Sequence, residues 1–305
     1  RSDEMYERAL NKKIDEVKLI IGDEILKYEP NIKGKVIKSL YIPNTGVVAS
    51  YDFALAYGEI AFDNGVNFKL EEEVKSIEHI SKGFKIKTNK NKFTSKIVID
   101  TTKDLNLQFE DGYVPKEDRE KYMKYMVMDK KYDSLYSNIL LNVGDKERIF
   151  VRPTVNNETM ASYSRRENIA YDDVVKKVEP LTGHIKEKDI KMVRDWRFIN
   201  EPVNLQGDIM ETGYLSLNVN HYAMVTMTPA LALSISQKVV EKLNCKLRKD
   251  FNDKRREYFK FRELSNEERN SLIKVDNKYG NIICQCQKVT EGEIVDAIRR
   301  PLGAR

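Results

Sequence analysis

The sequence predicts a mixed fold of the α/β or α+β class, on three observations. Segments such as "GFKIKTN" and "KFTSKIVID" alternate apolar and polar residues with period two, as half-buried strands do. "TPALALSISQKVVEKL" instead brings Leu231, Ile235, Val239 and Leu243 onto one face, as a helix does. The two patterns interleave, with meandering strands in the middle of the chain.

Taken in order, Met5, Leu10, Ile14, Val17 and Ile21 recur at three-to-five-residue steps and predict one amphipathic helix. A short second helix follows Asp23 and stops at Pro30. "KVIKSLYIPNTG" reads as a strand running into a turn, and "SYDFALAYGEIAFDNG" as a helix opened by Ser50 or Asp52 and closed by Gly65. "VNFKLEEEVKSIEH" predicts a further strand. From 112 to 220 the chain is rich in strand-type segments, "SNILLNV", "RIFVRPT" and "METGYLSLNV", with one helix at "AYDDVVKKVEPL". Thr228 is the expected N-cap of the next helix, with Pro229 in its first turn. Residues 246–278 are highly charged and suit an exposed helical connector, and the last segment reads as a separate small unit. No internal repeat is present.

A chain of 305 residues can bury roughly 75% of its unfolded surface and hold two domains. Its 41% hydrophobic and 33% charged residues are those of an ordinary globular protein, and its longest apolar runs fall far short of the ~20 residues of a spanning helix, so no membrane span is expected. The net charge of +5 comes from basic and acidic residues interleaved throughout. That argues against a nucleic-acid partner and is compatible with small acidic substrates. Three cysteines make no disulfide framework and no signal-peptide pattern opens the chain, so a cytoplasmic setting is expected. There is no initiator Met, and the sequence opens inside a helical pattern, so it reads as a piece of something longer.

Cys284 and Cys286 form a C-x-C on an apolar run. Thiolate metal sites take about four ligands, and no second Cys pair exists, so the two are either half of a metal site or buried structural thiols. Cys245 reads as a small apolar residue at a helix end, and His79 and His184 as solvent-facing. Neither a Ser–His–Asp, H-E-x-x-H nor P-loop pattern is present, and there is no G-x-G-x-x-G.

"GNIICQCQKVTEGEIVDAIRRPLGAR" resembles the opening of the bacterioferritin-associated-ferredoxin-like [2Fe-2S] domain: C-x-C, then V-T-E-x-E-I, then a helix ending in P-x-G-A-R. The resemblance implies that Cys284 and Cys286 are two of four cluster ligands, with the domain's second pair beyond this chain. The order E-P-N, strand, P-x-x-G-V-V, helix and V-x-x-I strand in "EILKYEPNIKGKVIKSLYIPNTGVVASYDFALAYGEIAFDNGVNFKLEEEVKSIE" resembles FAD-dependent oxidoreductases of the D-amino-acid-oxidase superfamily, anaerobic glycerol-3-phosphate dehydrogenase-like enzymes in particular. That likeness runs, more weakly, over about 18–243.

The resemblance implies an incomplete FAD-binding Rossmann-like domain with a mixed-sheet substrate domain at 1–245, the connector at 246–278 and the truncated [2Fe-2S] domain at 279–305. It implies FAD contacts at Val74, Thr101, Thr102, Tyr222 and Thr226. Arg197 in "DWRFIN" matches an arginine that faces the substrate's anionic group, although taken alone it reads rather as a surface or strand-edge salt bridge. His221 falls in the flavin-facing loop, where a general-base role is conceivable. The implied partners are a small anionic substrate and an electron-acceptor protein or subunit. Several positions depart from the pattern: Lys103, Val219, Met224 and Trp196 stand where glycines are expected, and Ser50 where proline is common. These departures open the alternative of a non-catalytic member with a scaffold or binding role.

Overall fold

The computed structural model describes residues 2–102, 120–129, 136–144, 146–199, 203–219 and 221–302. It has the mixed α/β architecture that the interleaved periodicities predict. Two compact units divide the chain, one of Arg1–Ala49 with Val74–Cys245 and one of Ser50–Glu73 with Lys246–Arg305.

The first unit opens with α1 (Ser2–Asn11) and the antiparallel pair β1 (Lys18–Ile21) and β2 (Lys38–Tyr41). The single helix expected through Ile21 therefore ends ten residues early. Lys13 and Glu16 have φ of 54° and 60°, a left-handed backbone that no α-helix continues through. Val17 and Ile20 are buried in and beside a strand instead. The short helix after Asp23 is a 3-10 turn over Gly22–Lys27. The helix predicted from Ser50 is α2 (Ser50–Asp63), with Gly65 at φ 91° just beyond its end.

A small antiparallel sheet follows, β3 (Val74–Ile80), β4 (Gly83–Thr88) and β5 (Lys92–Ser95). Next comes β6 (Val98–Asp100). The strand predicted from Val66 thus begins only at Val74. The largest sheet holds β7 (Glu120–Met128), β8 (Leu140–Val143), β9 (Arg148–Pro153), β10 (Thr159–Arg165) and β11 (Ile190–Ile199), all antiparallel in the order β11-β7-β10-β9-β8.

Helix α3 (Tyr171–Thr182) covers one face of this sheet. Val174 and Val178 meet Met126, Met128, Val151, Ala161 and Tyr163, all at most 1% exposed. Each larger apolar side chain buried here contributes about 1.5–3 kcal/mol. Gly34 is needed at this helix's end, because a Cβ there would lie 2.4 Å from the Pro180 carbonyl oxygen.

The third sheet places β12 (Asn204–Gln206) beside β13 (Tyr214–Asn218), which pairs in parallel with β6. Helix α4 (Met224–Leu243) follows β13. It starts four residues before the expected N-cap: Thr228 lies inside it and donates its hydroxyl to the Met224 carbonyl at 2.8 Å, leaving Pro229 in the helix interior.

In the second unit the charged stretch after Lys246 is mostly irregular; α5 (Asn266–Val275) is its helical part, followed by the hairpin β14 (Ile282–Cys284) and β15 (Val289–Thr290) and by α6 (Glu291–Arg299). Ion pairs hold the stretch to α2. Glu59 is fully buried, its Oε2 accepts from Arg255 Nε at 2.6 Å, and Arg300 Nε lies 3.4 Å from Oε1. Asp63 takes Arg256 beside it. Removing one member of a buried ion pair strands the others. Glu59→Ala should therefore lower the stability of this unit by about 3 kcal/mol, read by calorimetric unfolding, whereas a change below about 0.5 kcal/mol would mean that the arginines find water instead.

Candidate functional site

Successive strand residues point to opposite faces, and residues paired across strands share a face. In the five-stranded sheet Tyr122, Lys124, Met126 and Met128 of β7 therefore look toward α3 with Arg165, Tyr163 and Ala161 of β10. Lys121, Met123, Tyr125 and Val127 look the other way, with Ser162 and Ser164 of β10 and Arg148, Phe150 and Arg152 of β9.

Arg197 pairs with Tyr122, so it stands on the α3 side. Its Nη2 donates to the Tyr122 hydroxyl at 3.2 Å and its guanidinium lies 5.1 Å from that ring's centre. A bulge between Ile190 and Met192 sets this register. Were Lys191 paired in a regular ladder rather than bulged out of it, Arg197 would fall opposite Lys121 and on the other face.

The opposite face meets the loop that opens α4. The Arg148 guanidinium sits 5.2 Å from the centre of the Tyr222 ring, and Tyr222 lies against His221 with ring centres 4.4 Å apart. Burial, and then the nearby Arg148 charge, push the His221 imidazole below its ordinary value of 6.5. His221 Nδ1 accepts the Ala223 backbone N–H at 3.0 Å. A neutral imidazole that accepts at Nδ1 carries its proton on Nε2 and is a donor there. The geometry thus suits His221 to hydrogen-bond an oxygen rather than to take a proton from one. Arg148 carried no motif, and its place beside this loop was not legible without the sheet register.

Ile99, Thr101, Leu217, Val219, Leu231 and Ile235 are among the residues lining a cavity of about 460 Å³ between β6, β13 and α4. Thr101 is thus at a cavity wall, and Thr102 donates both its backbone N–H and its hydroxyl to Asp100 Oδ1 at 2.9 and 2.7 Å. Asp100 is buried and also accepts from the Tyr214 hydroxyl at 3.1 Å. Burial, then the Asp100 charge and hydrogen bond, push the Tyr214 phenol up to about 12. Val74 opens β3 in the separate small sheet and lines no part of this cavity, and Thr226 is exposed in the first turn of α4. Lys103 lies outside the described residues.

A flavin dinucleotide needs apolar walls for its ring and anion-binding donors for its diphosphate. The cavity offers the first. Among the described residues it offers no charged group, and the chain holds no glycine-rich phosphate turn, so the residues present do not fit the diphosphate half.

Cys284 and Cys286 lie at the β14–β15 turn with their sulfurs 3.1 Å apart. A hydrogen bond between the two sulfurs, in which either can donate, holds the Cys284 thiol below the ordinary thiol range and Cys286 above it. Cys286 is exposed and Cys284 partly so, which removes the reading of both as buried structural thiols. Cys245 is exposed too, contrary to its expected apolar role. No cluster of three or more metal-ligating side chains exists among the described residues, so the pair here makes at most half of a four-ligand site. No helix among them is long and apolar enough to cross a membrane.

The parallel pair β6–β13 with its following helix α4, together with the large antiparallel sheet, makes a mixed α/β architecture. The sequence model of the FAD dependent oxidoreductase family matches residues 1–195, and the chain belongs to that family. It is 27% identical over 329 residues to a glycerol 3-phosphate dehydrogenase from Caloramator mitchellensis, covering 99% of this chain and 66% of that protein, so the chain spans just under two thirds of that relative's length.

Among solved structures it is similar to the glycine oxidase of Geobacillus kaustophilus, with TM-score 0.61, 16% identity, and 84% of this chain and 72% of that one covered. The L-alpha-glycerophosphate oxidase of Mycoplasma pneumoniae, with FAD bound, gives 0.59 at 15% identity over 84% of this chain and 73% of that one. At such identities the likeness is one of fold.

Three histidines in the whole chain make the Arg148–His221 proximity directly measurable. Arg148→Gln should raise the His221 pKa in an NMR titration, yet leave it below the ordinary value because burial remains. A folded-state pKa below the unfolded one means that the stability His221 contributes is present above about 6.5 and fades as the pH falls toward the folded value. An unchanged His221 titration in the variant would contradict the contact.

Proposed function

We propose that this chain is the substrate-binding part of an FAD-dependent dehydrogenase resembling glycerol-3-phosphate dehydrogenase. Its substrate is a small anionic hydroxy or amino compound, and a [2Fe-2S] cluster held in part by Cys284 and Cys286 would supply the outlet for electrons toward an acceptor protein or partner subunit in the cytoplasm. Membership of the FAD dependent oxidoreductase family and the 27% identity to a glycerol 3-phosphate dehydrogenase support this reading.

The observation that carries it is the meeting of Arg148 with the Tyr222–His221 loop. A cation held over an aromatic ring, beside a neutral imidazole donor, can fix an anion and a hydroxyl at once. In this reading Arg148 attracts the anionic end, and His221 Nε2 orients the hydroxyl by donating to its oxygen. Cys284 and Cys286 supply two of the four cluster ligands.

The apolar cavity without phosphate donors favours a second reading, a family member whose flavin chemistry is lost and whose fold serves binding or assembly.

Anaerobic purification with flavin and iron assays on one sample separates the two. The dehydrogenase reading expects a flavin spectrum that bleaches on addition of glycerol 3-phosphate. Cys284→Ser should lose bound iron while keeping that bleaching. A colourless protein that takes up neither FAD nor iron on reconstitution contradicts the dehydrogenase reading and leaves the second.

A further inference from the structure

The face of the five-stranded sheet turned away from α3 carries an unusual charge count. Lys121, Arg148, Arg152 and Arg194 stand on it by cross-strand register, Arg194 pairing with Tyr125 on β11. Arg166 follows β10 immediately and lies near enough to Lys121 to lower its pKa together with Arg148, after the larger effect of burial. No Asp or Glu occupies a paired position on this face among the described residues. The other face is balanced: Lys124 pairs with Asp195 at 2.5 Å and Arg165 with Asp173 at 3.3 Å.

A cationic face without acids, part of it buried, is costly to hold unless an anion completes it. Arg152 illustrates the cost. It is only partly exposed, burial lowers its pKa, and its Nη2 donates to the weak acceptor Met160 Sδ at 3.2 Å. The α4 loop adds to the field, since no acidic residue stands in that helix's first turn.

We propose that Arg148, with Lys121 and Arg166, forms a binding site for the phosphate group of a phosphate monoester substrate, and that Arg197 takes no part in it. This rests on the dehydrogenase reading for calling the ligand a substrate. Charge count selects the chemistry: a phosphate monoester carries about −1.5 to −2 at neutral pH and has three acceptor oxygens, which suits several cations better than a single carboxylate does. The arginine fork of Arg148 matches two of those oxygens, and Lys121 serves as a point charge.

The test is equilibrium binding of inorganic phosphate and of glycerol 3-phosphate to the whole protein, with lactate as the carboxylate control. Arg148→Gln should weaken phosphate binding roughly tenfold or more, with Arg148→Lys in between. Lys121→Gln should weaken it about threefold or more, a second handle should the Arg148 variants prove unstable. Phosphate should bind more tightly than lactate.

Retention of phosphate affinity within about twofold in both Arg148→Gln and Lys121→Gln overturns the proposal, as does loss in Arg197→Gln alone or equal binding of lactate. Phosphate binding that follows this pattern without any flavin reduction would keep the anion site and reject the dehydrogenase reading. Flavin reduction by glycerol 3-phosphate that is indifferent to Arg148 would do the reverse.

Discussion

The two-residue alternation of the five-stranded sheet is the constraint on which the rest of this structure depends. One set of side chains, Met126, Met128, Val151, Ala161 and Tyr163, is spent on α3 and supplies the core. The complementary set is thereby committed to the opposite face, where Lys121, Arg148 and Arg152 stand together. Neither set can change without the other, because a one-residue slip exchanges core and surface along the whole strand. The hydrophobic packing of α3 therefore fixes the register of the cations on the far side.

Buried carboxylates then fasten the irregular segments around this frame. Glu29, 1% exposed, accepts from the backbone N–H groups of Ser137 and Asn138 at 3.0 and 2.9 Å, tying the start of the chain to the segment before β8. Asp100 gathers Thr102 and Tyr214 at the C-terminal end of β6, beside the cavity wall. Glu59 does the same in the second unit with Arg255 and Arg300. In each case a charge is tolerated in the interior because several donors converge on it.

Much of the fold was legible in the sequence because its signals are local. The strands at 83–88 and 92–95 and the helix at 50–63 follow from period and capping alone. The failures have physical causes. A helical spacing from Met5 to Ile21 was broken by two left-handed residues, Lys13 and Glu16, which carry no glycine to announce them. Thr228 looked like an N-cap, but its hydroxyl turns back to Met224 and the helix runs on ahead of it. Of the candidate site, the loop residues His221 and Tyr222 are marked by the family pattern, and the structure sets them together beside Arg148. The C-x-C was legible as two adjacent thiols. Arg197 was the instructive case: one bulge residue in β11 decides which face it takes, and no residue type marks that bulge.

In the proposed anion site, sheet parity assigns binding to Arg148 and withholds it from Arg197. Phenylglyoxal labelling of the whole protein, with peptide mapping in the presence and absence of phosphate, tests it without altering any residue. Protection by phosphate at Arg148, with Arg197 labelled equally in both conditions, is the predicted result. Protection at Arg197, with Arg148 indifferent to phosphate, would contradict the register on which the account stands.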